Sequence, residues 1–343
     1  MEFNNMQFFN IVEVEKNEYG SGLKLHRFPE NVRNNLGRNK SSFGRHVARF
    51  TTGCEIRFVS EGDTFAISLK AVAGDGEILI YQGDFFQGRY KLRKGIIETF
   101  KINENPQMKK VNPEVLNKGS FSPAVWRIVF CHDFICEFAG IESYGYQLRA
   151  PLFDEVPTKR WLAYGSSITH GANANLQSNS YLRQAARKLR VDILNKGMGG
   201  SCFCEKEMAD FIAKDVKWDF ITLELGVNMR GGFSSKEFDE SVQYFIDKIQ
   251  KENPQKPIIL LTIFPNYADY INKGDDVNIN QKFNEILRKI YKKYNNEFLH
   301  LIEGEQILNQ FYDLSCDLIH PSPEGHINMG RNLSAALEKI LSV

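Results

Sequence analysis

The sequence has almost no excess of charge of either sign. Its 343 residues carry 43 Lys plus Arg against 42 Asp plus Glu, which leaves a formal charge of +1 at pH 7. The overall charge therefore supports neither binding to the phosphates of a nucleic acid nor attraction to an anionic membrane surface. We expect no nucleic-acid partner and no membrane partner. A small neutral substrate fits this charge balance better.

Long hydrophobic runs are also missing. The longest apolar segments, such as residues 258–264, are far shorter than the about 20 residues that a membrane-spanning helix needs. The first five residues, Met-Glu-Phe-Asn-Asn, lack the basic region and the apolar stretch of a secretory signal peptide. These two features predict a soluble protein of the cytoplasm.

Cysteines are few, and their spacing fits no metal site. The six cysteines stand at positions 54, 131, 136, 202, 204 and 316, without the paired spacing of zinc ligands. Cys202 and Cys204 form the closest pair, but a gap of one residue rarely suits a disulfide. We interpret all six as reduced residues that pack in the structure, and we expect neither a metal nor a cofactor.

The first half of the chain has the pattern of an all-β domain. Short runs of β-branched and aromatic residues are separated by turn formers such as Gly74-Asp75-Gly76, and no helical period lies between them. This alternation is typical of an antiparallel sandwich. The predicted strands cover residues 47–50, 55–58, 65–69, 78–81 and 126–130.

After Pro151 and Pro157 the pattern changes to strands that alternate with amphipathic helices. Apolar runs at this spacing predict a parallel sheet with helices on its faces, and therefore an α/β fold. Two domains are the better expectation at this length, and we place them at residues 1–155 and 156–343. The predicted strands cover 161–164, 191–194, 220–225, 258–264 and 298–302, and the predicted helices cover 181–189, 238–249, 283–294 and 327–341.

Three residues of the second half have the types that serine acyl transfer requires. Ser167 follows the first predicted strand of this half, at the carboxyl end where open α/β sheets bind their ligands. A serine hydroxyl is a weak nucleophile at neutral pH, so it needs a base, and the base needs a carboxylate to orient it. Asp317 and His320, which lie three residues apart before the final helix, can fill both roles. Taken alone, each segment also fits a helix cap or a surface turn.

The oxyanion that develops during acyl transfer needs fixed hydrogen-bond donors. Gly200 follows the second predicted strand and Asn228 the third, so both loops open at the sheet edge that carries Ser167. The amides of Ser167, Gly200 and Asn228 form the predicted oxyanion hole. Six further residues lie on loops near this edge, and the sequence leaves open whether they contact substrate or only pack: His170, Asn173, Met229, Arg230, Phe264 and Tyr267.

These segments, in this order, resemble the four sequence blocks of the SGNH hydrolases, also called the GDSL family, over residues 159–343. The resemblance implies that Ser167 is the nucleophile, that Gly200 and Asn228 donate to the oxyanion, and that Asp317 and His320 are the acid and the base. It also implies a flavodoxin-like domain with a five-stranded parallel sheet.

The sequence departs from the family pattern at two positions. Ser166 stands where an Asp usually precedes the nucleophile, and Met229 stands where an Asp often follows the Asn. Neither residue is the nucleophile, the acid, the base or one of the two further oxyanion donors. The departures therefore concern the order of the loops and the contacts with substrate. The G-x-S-x-G motif of the α/β-hydrolases is absent around Ser167, which argues against that other serine-hydrolase fold.

A jelly-roll-like β-sandwich ahead of an SGNH domain resembles the two-domain bacterial acetylxylan esterases of carbohydrate esterase family two. The resemblance implies a serine esterase that removes acetyl groups from carbohydrate, with a small-molecule or oligosaccharide ester as its partner. A lipase or thioesterase of the same superfamily is one alternative, and a carbohydrate-binding protein with a vestigial site is another. The sequence is compatible with a homo-oligomer but does not determine the oligomeric state.

Overall fold

The protein is represented by a computed structural model that describes residues 1–17, 22–38, 42–271 and 275–341. The chain forms two compact units, Met1–Pro29 with Arg49–Thr158 and Glu30–Ala48 with Lys159–Val343. The segment Glu30–Ala48, which contains helices α1 (Glu30–Arg33) and α2 (Ser42–Val47), therefore folds with the second unit, although the sequence assigned it to the first. Within the described ranges no helix is long and apolar enough to cross a membrane.

The first unit consists of two antiparallel sheets. The strands are β1 (Glu2–Phe3), β2 (Met6–Phe9), β3 (Glu13–Lys16), β4 (Leu23–His26), β5 (Glu55–Ser60), β6 (Thr64–Ala71), β7 (Gly76–Gln82), β8 (Phe85–Leu92), β9 (Ile97–Asn103), β10 (Val125–Phe130), β11 (Cys136–Glu142) and β12 (Leu148–Arg149), and a short helix α3 covers Pro113–Leu116. One sheet has the strand order β1-β2-β5-β10-β7-β8, with β12 beside β5, and the other has the order β3-β4-β11-β6-β9.

Aromatic side chains join the two sheets of this unit. The ring of Phe65 on β6 lies 4.9 Å from that of Phe58 on β5 and 5.0 Å from that of Trp126 on β10. Phe8 on β2 and Phe138 on β11 form a further pair at 5.6 Å. All three pairs meet edge to face, an arrangement that adds to the free energy gained from burial alone. The sheets thus pack face to face, as predicted for a sandwich.

The predicted strand at residues 47–50 is wrong. Helix α2 continues to Val47, and the Ala48 N–H donates to the carbonyl of Gly44 at 2.9 Å, which closes its last turn. Val47, Ala48 and Phe50 are buried, so the apolar residues of this stretch cover the buried side of a helix end and of the turn after it. Strands β8 and β9 were not predicted, because many of their side chains are exposed and give no apolar run.

The second unit is built on a parallel sheet. Its elements are β13 (Arg160–Gly165), α4 (Ser167–His170), α5 (Tyr181–Leu189), β14 (Asp192–Gly197), α6 (Lys206–Lys214), β15 (Phe220–Glu224), α7 (Ser235–Glu252), β16 (Ile258–Leu261), α8 (Asp275–Tyr294), β17 (Leu299–Ile302), α9 (Gly304–Ile307) and α10 (Pro323–Leu341). Among the described residues of this unit the strand order is β14-β13-β15-β16-β17, and every neighbouring pair is parallel. Counted within the unit, this is the order 2-1-3-4-5 of flavodoxin-like folds, which confirms the prediction.

Strand β13 lies between β14 and β15, at the point where the strand order reverses. Its side chains from Trp161 to Tyr164 are fully buried, as expected for a parallel strand with both faces covered. The indole N–H of Trp161 donates to the hydroxyl of Thr222 on β15 at 2.8 Å, so the one polar atom of this side chain is satisfied inside the core. The carboxyl end of β13 therefore has a rigid base.

Candidate active site

Ser167 is the first residue of the one-turn helix α4, and only Ser166 separates it from the end of β13. The hydroxyl of Ser166 caps this turn by accepting from the Ile168 N–H at 3.1 Å. Gly171 ends the turn with φ +109°, a conformation that favours glycine, and its N–H donates to the Ser167 carbonyl at 3.0 Å. Both ends of the turn are thus fixed, which places Ser167 at the carboxyl edge of the sheet.

The structure brings the three predicted residues of the triad together. Ser167 Oγ lies 2.7 Å from His320 Nε2, and His320 Nδ1 lies 2.8 Å from Asp317 Oδ2. When Nδ1–H donates to Asp317, the lone pair of Nε2 is left to accept the proton of the serine hydroxyl. This is the hydrogen-bond order that a serine nucleophile needs.

The loop that carries the base is held by backbone hydrogen bonds. Asp317 Oδ1 accepts from the N–H groups of Ile319 and His320 at 2.9 Å each. Leu318 adopts φ +55°, and its carbonyl accepts from the Tyr267 N–H at 2.8 Å, which ties this loop to the one after β16. Such a left-handed conformation is uncommon for a residue other than glycine and persists only where its surroundings determine it.

The carboxyl of Asp317 favours its charged form. Partial burial raises its pKa, but the hydrogen bonds from the N–H groups of His320 and Ile319 and from the imidazole outweigh that effect and leave the pKa below its ordinary value. Asp317 is therefore ionised at neutral pH. A carboxylate in this position stabilises the positive charge that the imidazole of His320 acquires when it takes a proton.

The two loops with the predicted oxyanion donors are joined at the same edge of the sheet. A Cβ on Gly199 would lie 3.7 Å from the Ser167 Cβ, so this loop passes beside the nucleophile. Gly200 has φ +65°. The N–H of Cys202 donates to Asn228 Oδ1 at 3.2 Å, which fixes the amide plane of Asn228 and directs its NH₂ group away from that bond.

The six residues whose role the sequence left open divide into two groups. Three are buried packing residues, and the other three lie at the loop surface with polar partners or an aromatic face. The buried ones are His170, Met229 and Phe264. The others are Asn173, which donates to Ser315 Oγ at 3.0 Å, Arg230, which donates to Asn266 Oδ1 at 2.9 Å, and Tyr267, whose ring lies 5.7 Å from the Arg230 guanidinium carbon.

A family model of GDSL-like lipases and acylhydrolases matches residues 158–338, which is more than half of the chain and contains Ser167, Gly200, Asn228, Asp317 and His320. The chain belongs to the GDSL-like lipase/acylhydrolase family. Comparison with curated proteins gave no match.

Several solved structures share the fold over nearly the whole chain. A salicylyl-acyltransferase, SsfX3, from a tetracycline biosynthetic pathway has a TM-score of 0.82 at 16% identity, with 99% of this chain and 95% of that one covered. A protein of Bacteroides ovatus described as a GDSL-like lipase has a TM-score of 0.71 at 18% identity and covers 98% and 96%. A family two carbohydrate esterase of Cellvibrio japonicus has a TM-score of 0.65 at 14% identity and covers 99% and 96%. At such identities the likeness establishes the fold.

Two residues beside this candidate site were not found from the sequence. Phe43 on α2 is 52% exposed, and its ring Cε1 would lie 2.7 Å from a Cβ on Gly200, so the ring covers the backbone of a predicted oxyanion donor. The sequence assigned this segment to the sandwich and gave no signal that it joins the second unit. Glu224, the last residue of β15, was interpreted only as part of a strand.

Glu224 lies directly beneath the loop of Ser167. It is 1% exposed, and its Oε2 accepts from the Ser166 N–H at 2.6 Å and from the Thr169 hydroxyl at 3.0 Å. Burial raises the pKa of this carboxyl to about 7, although the bonds from Ser166 and Thr169 act in the opposite direction. The other ionisable groups that act on it, Tyr181 and Cys202, have pKa values raised by their own burial and stay neutral in this range.

We expect Glu224 to make the free energy of unfolding depend on pH. Its pKa rises from 4.5 to about 7 on folding, so its contribution to stability is complete below about pH 4.5 and is lost as the pH increases through 7. Glu224→Gln cannot ionise. Its free energy of unfolding relative to the wild type should therefore increase by about 3 kcal/mol between pH 4.5 and pH 8.

Urea unfolding of both proteins at several pH values across this interval measures the effect. Glu207→Gln is the control, because Glu207 is an exposed residue of α6 and should leave the curve unchanged. Parallel pH curves for the wild type and Glu224→Gln would show that the buried carboxyl does not titrate in this interval.

Proposed function

We propose that the protein is a serine esterase that hydrolyses short acyl esters, chiefly acetyl esters of carbohydrate, through an acyl-enzyme intermediate. The observation that carries this proposal is the continuous chain of hydrogen bonds from Ser167 Oγ through His320 to Asp317, at 2.7 and 2.8 Å. Membership of the GDSL-like lipase/acylhydrolase family supports the reaction class.

The proton route follows from this chain of hydrogen bonds. Ser167 Oγ attacks the ester carbonyl carbon, and His320 Nε2 takes the hydroxyl proton. When the tetrahedral intermediate collapses, the C–O bond to the alcohol breaks and His320 returns the proton to the leaving alkoxide. Water then attacks the acyl-serine while His320 takes one of its protons. The bond between the acyl carbon and Ser167 Oγ breaks, His320 returns the proton to Ser167, and the acid is released. Asp317 stays ionised throughout and holds the imidazole in the required orientation.

The oxyanion would be stabilised by three donors, the N–H groups of Ser167 and Gly200 and the side-chain NH₂ of Asn228. Ser167 opens α4, where N–H groups point outward from the helix start. The bond from the Cys202 N–H to Asn228 Oδ1 joins the loop of Gly200 to Asn228, so both donors are held before substrate binds. Donors fixed in advance lower the barrier because they need no reorganisation during the reaction.

A carbohydrate acetyl ester is the substrate class that the surroundings favour. The full-length fold likeness to the family two carbohydrate esterase of Cellvibrio japonicus supports this choice. Phe43 offers an apolar face beside Gly200, against which a sugar ring or a short acyl group could pack. The intact hydrogen-bond geometry of the triad argues against the alternative of a carbohydrate-binding protein with a vestigial site.

The first prediction from this mechanism concerns the nucleophile. We expect Ser167→Ala to lower kcat on p-nitrophenyl acetate by about 10⁴-fold or more, because among the described residues Ser167 has the one hydroxyl that is bonded to His320. Ser166→Ala is the matched control, since it loses a helix cap worth about 1 kcal/mol but keeps the nucleophile. An active Ser167→Ala variant together with an inactive Ser166→Ala variant would show that Ser167 is not the nucleophile.

The second prediction concerns the oxyanion hole. Asn228→Ala should lower kcat by about 100-fold with little change in KM, since one such donor contributes about 3 kcal/mol in the transition state. Asn228→Asp keeps the acceptor for the Cys202 N–H but removes the NH₂ donor. It should be impaired as strongly as the alanine variant, whereas an Asp variant with normal kcat would give Asn228 a purely structural role.

The third prediction separates acetylesterase from lipase or thioesterase. We expect kcat/KM across p-nitrophenyl esters of two to twelve carbons to be highest at two carbons, because a longer chain gains about 0.8 kcal/mol per CH₂ only where an apolar groove buries it. A maximum at eight carbons or beyond would favour a lipase. Release of acetate from an acetylated xylo- or cello-oligosaccharide would support the carbohydrate substrate, and no reaction with any sugar ester would leave a general short-chain esterase.

A further inference from the structure

Glu224 has more contacts with the nucleophile loop than its place at the end of β15 requires. Its Oε2 atom accepts from the backbone N–H of Ser166 and from the hydroxyl of Thr169. These two residues flank the pair Ser167-Ile168 in the sequence. The Thr169 hydroxyl is also bonded to the Tyr181 hydroxyl at 2.8 Å, so the network extends to α5. One carboxylate oxygen thus holds both ends of the turn that carries the nucleophile.

We propose that Glu224 is a positioning residue, whose buried carboxylate fixes helix α4 so that Ser167 Oγ stays within hydrogen-bond distance of His320 Nε2. The proposal rests on the esterase function proposed above.

Gly165 supports this arrangement. A Cβ at this position would lie 2.6 Å from Glu224 Oε2 and would also collide with the Thr169 hydroxyl. The glycine therefore leaves the space in which the carboxylate reaches the Ser166 N–H. Its backbone φ is not in the left-handed region, so close approach, and not backbone conformation, is the reason for glycine here.

The stability of the fold gives no reason for a glutamate in this place. Glu224 Oε1 is buried and has no hydrogen-bond partner among the described residues, and no cation within them forms an ion pair with the carboxylate. A buried carboxylate that has no ion-pair partner and only one hydrogen-bonded oxygen destabilises a folded protein, and an apolar side chain of similar size is often better tolerated. Residues that cost stability in this way are typical of functional sites.

The test compares Glu224→Leu and Glu224→Gln with the wild type at pH 8 on p-nitrophenyl acetate. Glu224→Leu loses both hydrogen bonds, so kcat should fall by about 10- to 100-fold with KM little changed, because a small displacement of a reacting group has effects of this size. Its urea midpoint should equal or exceed that of the wild type. Glu224→Gln keeps an oxygen acceptor for Ser166 and Thr169, and its kcat should stay within a few-fold of wild type.

Glu205→Leu is the matched control. Glu205 is a second glutamate of the same unit with a pKa raised by burial, and it accepts from the Gly37 N–H at 3.0 Å, away from Ser166 and Thr169. This variant should keep the wild-type kcat. A Glu224→Leu enzyme with wild-type kcat would overturn the proposal. It would also be overturned if Glu224→Leu lost both kcat and stability and Glu224→Gln lost both to the same extent.

Hydrogen exchange gives a readout that does not depend on esterase activity. The Ser166 amide should exchange faster in Glu224→Leu than in the wild type, while Glu205→Leu leaves it protected. A wild-type protein that hydrolyses no ester, together with this change in protection, would contradict the proposed function but not the positioning role. Unchanged protection of Ser166 in Glu224→Leu would contradict the positioning role itself.

Discussion

The hydrogen bond between Ser167 Oγ and His320 Nε2 is the interaction on which the candidate site depends. It joins residues that lie 153 positions apart in the chain, one after the central strand β13 and one in the loop before α10. A hydroxyl and an imidazole remain at 2.7 Å only when both loops are fixed. Both loops are held by the buried sheet, the caps of α4 and the backbone hydrogen bonds to Asp317. The reaction needs each of these whichever acyl group is transferred.

Fixing the nucleophile loop conflicts with stability at one point. The carboxylate of Glu224 reaches the Ser166 N–H from inside the sheet, where water cannot solvate the charge, and its pKa is raised to about 7 in consequence. Positioning by a buried acid is thus opposed by desolvation of the same acid. Gly165 leaves space for this carboxylate, and the Thr169 hydroxyl donates to it. The residue types at these two positions of the loop therefore depend on a residue of the neighbouring strand.

Much of the second unit could be predicted from the sequence, because apolar periodicity reports directly on a parallel sheet and its helices. Helix α5 covers the predicted residues 181–189, and Ser167, Asp317 and His320 meet as predicted. The segment with Phe43 could not be assigned to the correct unit, since the unit against which a short helix packs is a tertiary property. Nor could Glu224 be identified, because an acidic residue at a strand end is most often solvated, and only the packing of the loop over it reveals the burial.

The nucleophilic role of Ser167 is tested most directly by mapping the residue that a fluorophosphonate modifies. Attack by the activated serine would displace fluoride and leave a stable phosphonyl ester on one residue. We predict a single adduct on Ser167 in the intact protein, complete loss of ester hydrolysis when labelling is complete, and no adduct in His320→Ala over the same time. An adduct on another residue, or hydrolysis that continues in fully labelled protein, would contradict it.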